Sequence, residues 1–373
     1  MGRHAWNRLR IGAGVLCLSG SLLILLPQAG AAPGVSFIGR LQKIKAVASA
    51  VPSNGDVNPY GVAVIPETTG NLIKGRILVS NFNNVTNAQG TGTAIDEIGP
   101  NGQFQLFSQI DAGHLPGPCP GGVGLTTALV VLRSGWVIVG SLPTSGGTSA
   151  TAQAGCLIVL NQLGQPVETL SGGVINGPWD MTALDLGRAA VLFVSNVLND
   201  TVAGGGSVVN EGTVVRIVLA IPDDGGVPAE LARTVIASGF GERTDPMALV
   251  VGPTGLGLGA DGTLYVADAV NSQIDVVPNA VTRNSVAGVA PISTGGAING
   301  PLGLAIAPNG DILVVNGGDG NMVEVTPGGV QAAVENVDTT GAGAGTLFGL
   351  AIAGQGNGVY FVNDGNNTLN LLH

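Results

Sequence analysis

A two-strand phrase recurs six times along this chain, and repetition at that spacing constrains the fold more tightly than any other feature of the sequence. Each copy has a Gly- or Pro-containing turn, an apolar run, a Gly/Asn-rich turn and a second apolar run ending in Asn, Asp or a small residue. Residues 300–316 (GPLGLAIAPNGDILVVN) are the clearest copy. The first runs are 61–65, 125–132, 181–186, 247–251, 302–307 and 348–353. The second are 77–80, 136–139, 191–195, 264–267, 312–315 and 359–362. Their β-branched content and their Gly, Pro and Asn boundaries mark strands. Several are apolar at successive positions rather than alternating, which calls for burial on both faces.

The residues that close the second runs, Asn81, Ser141, Asn196, Asp268, Asn316 and Asn363, are spaced by 60, 55, 72, 48 and 47 positions, room for four short strands per unit. Third strands read at 94–98, 156–160, 213–217, 273–277, 322–325 and 369–372. Fourth strands read at 103–109, 167–170, 232–236, 285–289 and 330–334. The sixth unit ends after its third strand, and residues 35–47, with Lys43 and Lys45 placed as on a solvent-facing edge, supply the missing one. The expectation is an all-β, six-bladed β-propeller of four-stranded antiparallel blades, its last blade closed by an N-terminal strand.

Composition and charge narrow the setting. Arg3, Arg8 and Arg10, an apolar stretch over 11–26 and Ala29-Gly30-Ala31 read as a signal peptide over 1–31, with one propeller domain over 32–373. Cys17 lies inside the apolar stretch behind Leu16, where a lipoprotein signal would need a small residue. Cleavage removes three basic residues, leaving 11 of 14 against 24 acidic ones. That balance argues against nucleic acid and anionic membrane surfaces as partners. No later segment is long and apolar enough to span a membrane. The expectation is a secreted or periplasmic monomer whose partner is a protein or a small molecule. Cys119 and Cys156 remain after cleavage, and the export signal favours a disulfide between them over two separate thiols.

Residues 300–316, and Asp245-Pro246-Met247-Ala248 followed by 261–268, resemble NHL-type propeller repeats. The resemblance is closest in units four to six, and it implies a fold rather than a reaction.

Site candidates follow from the architecture. The entrance to each first strand and the turn after each second strand share one face. Those turns are short in units four to six but long at 81–92, 141–155 and 197–211, a one-sided wall that is either a binding surface or flexible decoration. Asn58, Asn196, Asp245 and Asp268, with Trp179 and Asp180, are the ligand-binding candidates of that face. The Asn and Asp residues serve equally as turn formers, and Trp179 is either a stacking platform or a channel plug.

The catalytic inventory is thin. His114 and His373 are the only histidines past the signal segment, too few for a three-His zinc site, and no HExxH, CxxC or GxSxG motif occurs. The leading expectation is therefore a non-catalytic ligand- or protein-binding scaffold that needs no cofactor. The alternative resembles the calcium-dependent lactonases of six-bladed propellers, a lactonase- or esterase-type hydrolase with calcium in the channel. That resemblance implies Asp180 and Asp245 as metal ligands, with Asn58 standing where such enzymes carry a glutamate.

Overall fold

The computed structural model describes residues 35–373, so the signal-segment reading lies outside the described residues. Six antiparallel sheets form in chain order, each with its first strand innermost. Blade 1 runs Val57–Val64, Ile77–Asn83, Ala94–Ile98, Phe104–Gln109; blade 2 runs Leu125–Val131, Val137–Ser141, Cys156–Leu160, Pro166–Ser171. Blade 3 is Pro178–Asp185, Ala189–Asn196, Val209–Ala220, Ala229–Asp245 and a fifth strand, Leu249–Val251. Blade 4 is Pro253–Leu258, Leu264–Asp268, Gln273–Val277, Pro291–Thr294; blade 5 is Pro301–Ile306, Ile312–Asn316, Asn321–Val325, Gln331–Asn336. Blade 6 is Leu347–Ile352, Val359–Asn363, Thr368–Leu372, and Ile44–Ser49 adds to its outer edge with Ile44 opposite Leu372. The chain is a six-bladed β-propeller closed by its N-terminal strand.

Burial explains the unbroken apolar runs. The second strand of every blade is buried along nearly its whole length, because its two faces pack on the neighbouring blades. Ahead of the closing strand, Glu324 of blade 5 accepts hydrogen bonds from the backbone of Phe37 and Ile38 and from the Ser36 hydroxyl, anchoring the N-terminal segment. Cys119, in the linker entering blade 2, forms a disulfide with Cys156 at the start of that blade's third strand. Among the described residues no helix is long and apolar enough to cross a membrane.

Three strand expectations differ from the structure, the first being the closing strand, which is Ile44–Ser49 rather than 35–47 because Ile38–Arg40 form a 3-10 turn. The fourth strand of blade 4 is Pro291–Thr294, not 285–289. The run at 247–251 is not the inner strand of blade 4, which begins at Pro253. Leu249 adopts φ 62°, and Leu249–Val251 folds back on the long outer strand of blade 3. The first apolar run after Asp245-Pro246 has the composition of an inner strand, but the register aligns Pro253 with Pro59, Pro178 and Pro301 at the entrances of blades 1, 3 and 5.

Candidate functional site

The residue after each entrance proline or leucine decides what the channel is. Tyr60, Trp179, Leu302 and Phe348 occupy it in blades 1, 3, 5 and 6, and all are buried. Tyr60 stacks on Phe348 at 3.9 Å and on Phe82 at 4.4 Å, with Trp179 tilted at 6.4 Å. Leu249 and Val250 pack into the same cluster, and the Trp179 indole N–H donates to the Val250 carbonyl at 3.0 Å. The run 247–251, expected as the first strand of blade 4, thus lies across the channel and completes an apolar layer. Trp179 is part of that plug and is 2% exposed.

Above the layer, on the face where the inner strands begin, is a polar pocket of about 390 Å³. Asn58, Asn83, Asn87, Asn367 and Asp364 supply most of its polar wall. Strand pairing and turns bring them together. Val57 lies opposite Asn83, Asn58 N–H donates to Asn367 Oδ1 at 2.7 Å, and Asn367 closes a turn onto the Asp364 carbonyl. Asn58 sits at φ 62°, a conformation asparagine tolerates better than other side-chain-bearing residues.

The satisfaction of this pocket is lopsided. Asn58 Oδ1 and Asn83 Oδ1 are buried and have no donor, and the Tyr60 hydroxyl beside Asn58 also lacks a partner of good geometry. Burial, reinforced by Asp364, raises the Tyr60 hydroxyl well above its ordinary pKa, while the Asn58 amide opposes that shift. Burial first, then the charge of Asp338, raises the Asp364 carboxyl to about 7. A buried acceptor left without a donor is unfavourable, so two beside a partly buried carboxyl call for something positive or hydrogen-bond-donating. Gln89, from the long loop of blade 1, donates to the carbonyls of Pro246 and Met247 at 2.9 and 3.0 Å, tying the crossing segment to the pocket rim.

The sequence candidates separate. Asn58 lines this pocket. Asp245 lines an adjoining one that shares Met247 and Gly345 with it, and there it accepts from the Met247 and Ala248 N–H groups and pairs with Arg243 at 2.9 Å. Asp180 lies below the aromatic layer, its Oδ2 accepting from Leu256 N–H at 2.9 Å. Asp180 and Asp245 therefore line different cavities. Asn196 and Asp268 hold backbone turns, accepting from Asn176 N–H at 3.2 Å and Asn271 N–H at 3.0 Å. Sequence reading missed Asn83 and Asp364. Asp364 directly follows the spacing residue Asn363, in a Gly/Asn-rich stretch whose composition suits a hairpin turn as well as a ligand.

Calcium takes six to eight oxygens from carboxylates, amides, backbone and water. Among the described residues no cluster of three His, Cys, Asp or Glu exists. The undonated Asn58 and Asn83 oxygens with Asp364 nevertheless make a neutral-amide and carboxylate set that fits a hard cation completed by water.

No family model matches the chain, and no curated protein matches it. Solved structures do. A luciferin-regenerating enzyme is 12% identical over 88% of this chain and 94% of its own, with TM-score 0.56. A PQQ-bound aldose sugar dehydrogenase from Streptomyces coelicolor is 15% identical over 88% and 97%, with TM-score 0.53. A gluconolactonase from Xanthomonas campestris is 11% identical over 85% and 86%, with TM-score 0.51. At these identities the likeness is one of fold. All three are enzymes, which overturns the expectation of a non-catalytic scaffold. That expectation rested on missing His, Cys and Ser motifs, and a channel built from amides and acids needs none of them.

Proposed function

We propose that the protein is a hydrolase of the lactonase or esterase type, working in the upper pocket on a small hydroxylated substrate. The observation that carries this reading is the pair of buried, undonated oxygens of Asn58 and Asn83 beside Asp364. Those three groups would hold a calcium ion, which when bound supplies positive charge to polarise an ester carbonyl. The second Asp364 oxygen would take a proton from the water that attacks the acyl carbon and return it to the alkoxide oxygen released as the ester C–O bond breaks. The side-chain amides of Asn87 and Asn367 stand at the pocket wall and donate to substrate oxygens. The gluconolactonase and the aldose sugar dehydrogenase with this fold are named for sugar-derived substrates, which agrees with an amide-rich wall. The NHL-like phrases belong to this reading as scaffold. So does export to a periplasm or beyond, motivated by the N-terminal segment and the disulfide.

A screen of sugar lactones and short esters, with and without calcium, tests the reading. Calcium-dependent turnover that falls at least about a hundredfold in Asp364→Asn is expected, the scale on which an acid–base group contributes. Turnover unchanged by both calcium removal and Asp364→Asn contradicts it.

A further inference from the structure

Below the aromatic layer the channel continues as a separate cavity of about 320 Å³, which the reading above does not use. Its walls are inner-strand residues such as Leu129, Met181, Leu256, Leu304 and Leu350. Its blind end is a ring one residue below the layer. In blades 1, 4, 5 and 6 the ring residue is Gly61, Gly255, Gly303 and Gly349. A Cβ at Gly303 would collide with the Phe348 carbonyl oxygen, and one at Gly349 with that of Tyr60. Backbone therefore closes those steps, and no side chain fits.

Blade 3 breaks the pattern with Asp180; blade 2 carries one extra residue between Leu125 and Leu129, and Thr127 of that bulge lines the cavity on the neighbouring blade. Thr127 and Asp180 are 5% and 6% exposed. Thr127 Oγ1 has no hydrogen-bond partner. Asp180 uses Oδ2 on Leu256 N–H; burial raises its carboxyl to about 8 against the lowering pull of the Leu256 and Met181 N–H groups, which favours the protonated form that can donate. Asp185, the cavity's other acid, lies at the far end of the same strand and accepts from Arg133 N–H at 2.7 Å. Thr127 and Asp180 stand together at the closed end of a wall that is mixed, with Thr182 and Asp185 further along it and leucines and Met181 between, which matches a ligand with one polar end and a short aliphatic part.

We propose that the lower cavity binds a small aliphatic molecule bearing one carbonyl oxygen. That oxygen accepts from the Asp180 carboxyl and the Thr127 hydroxyl, and the chain lies along Leu256, Leu304 and Leu350. This site is independent of the upper pocket.

The test titrates 2-heptanone into the labelled protein and follows the Leu256, Leu304 and Leu350 resonances. Saturable shifts at these residues are expected. Thr127→Val keeps the shape and removes the hydroxyl, and should weaken binding roughly tenfold. Asp180→Asn both accepts from Leu256 N–H and donates to the ketone, and should bind within about twofold of the parent protein. Leu304→Trp fills the tube and should abolish the shifts; Leu350→Phe repeats the block should that variant not fold. Shifts confined to other parts of the molecule overturn the proposal. So does affinity unchanged by both Thr127→Val and the blocking variant.

Discussion

The two ends of the channel are made from the same strands yet have opposite chemistry. Above the layer of Tyr60, Trp179, Leu249 and Phe348, turns contribute amides and one carboxyl, with acceptors in excess. Below it, strand interiors contribute mainly leucines and glycines, with Thr127 and Asp180 at the closed end and Thr182 and Asp185 further along the wall. The repeat sets the lower end, because each inner strand must approach its neighbour closely. Departures from the repeat set the upper end, since loops on a rigid scaffold are free to vary. One apolar layer keeps the two apart.

Removing that layer should have the largest effect. Trp179→Ala leaves a large void among buried aromatics and strips a donor from the Val250 carbonyl, a loss of about 3–5 kcal/mol in denaturant unfolding. A loss under about 1 kcal/mol would mean that the layer does not divide the channel. Next comes the glycine ring. Gly349→Ala drives a Cβ into the Tyr60 carbonyl and should cost about 1–3 kcal/mol, whereas Thr127→Ser should be nearly neutral.

The pH dependence separates the compartments by a different measure. Asp180 titrates at about 8 in the folded chain against an ordinary 3.8, so the folded state holds a proton that the unfolded state has lost. Its contribution to stability is greatest below about 4, declines as pH rises toward about 8, and is flat beyond. Asp180→Asn should therefore unfold with a shallower fall in stability between pH 5 and 8 than the parent protein. Asp96, also raised to about 8 by burial, keeps the slope from vanishing. An unaltered slope would place Asp180 in contact with water. The smallest effect is at the rim. Gln89→Ala frees the segment over the channel and should cost about 1 kcal/mol, raising hydrogen exchange at Val250 without disturbing the lower leucines.

Blade number, ring closure by the N-terminal strand and the long loops of blades 1–3 were legible because strand periodicity and turn residues are local signals. Asn58 was legible as an entrance residue. Asp180 was found as a chemical group but assigned to the wrong side of the layer, since that layer depends on Leu249–Val251 folding back on blade 3. Nothing local in an apolar run distinguishes an inner strand from a plug. Asn83 and Asp364 were hidden for the converse reason. Both look like turn chemistry, and only the three-dimensional closeness of blades 1 and 6 puts them in one pocket.

Calcium titration of the purified protein by calorimetry, repeated on Asp364→Asn and Asp180→Asn, tests the upper site most directly. One ion per chain should bind the parent protein and Asp180→Asn alike, and binding should be lost in Asp364→Asn. Binding that survives in Asp364→Asn but is lost in Asp180→Asn would move the cation below the aromatic layer and contradict the account.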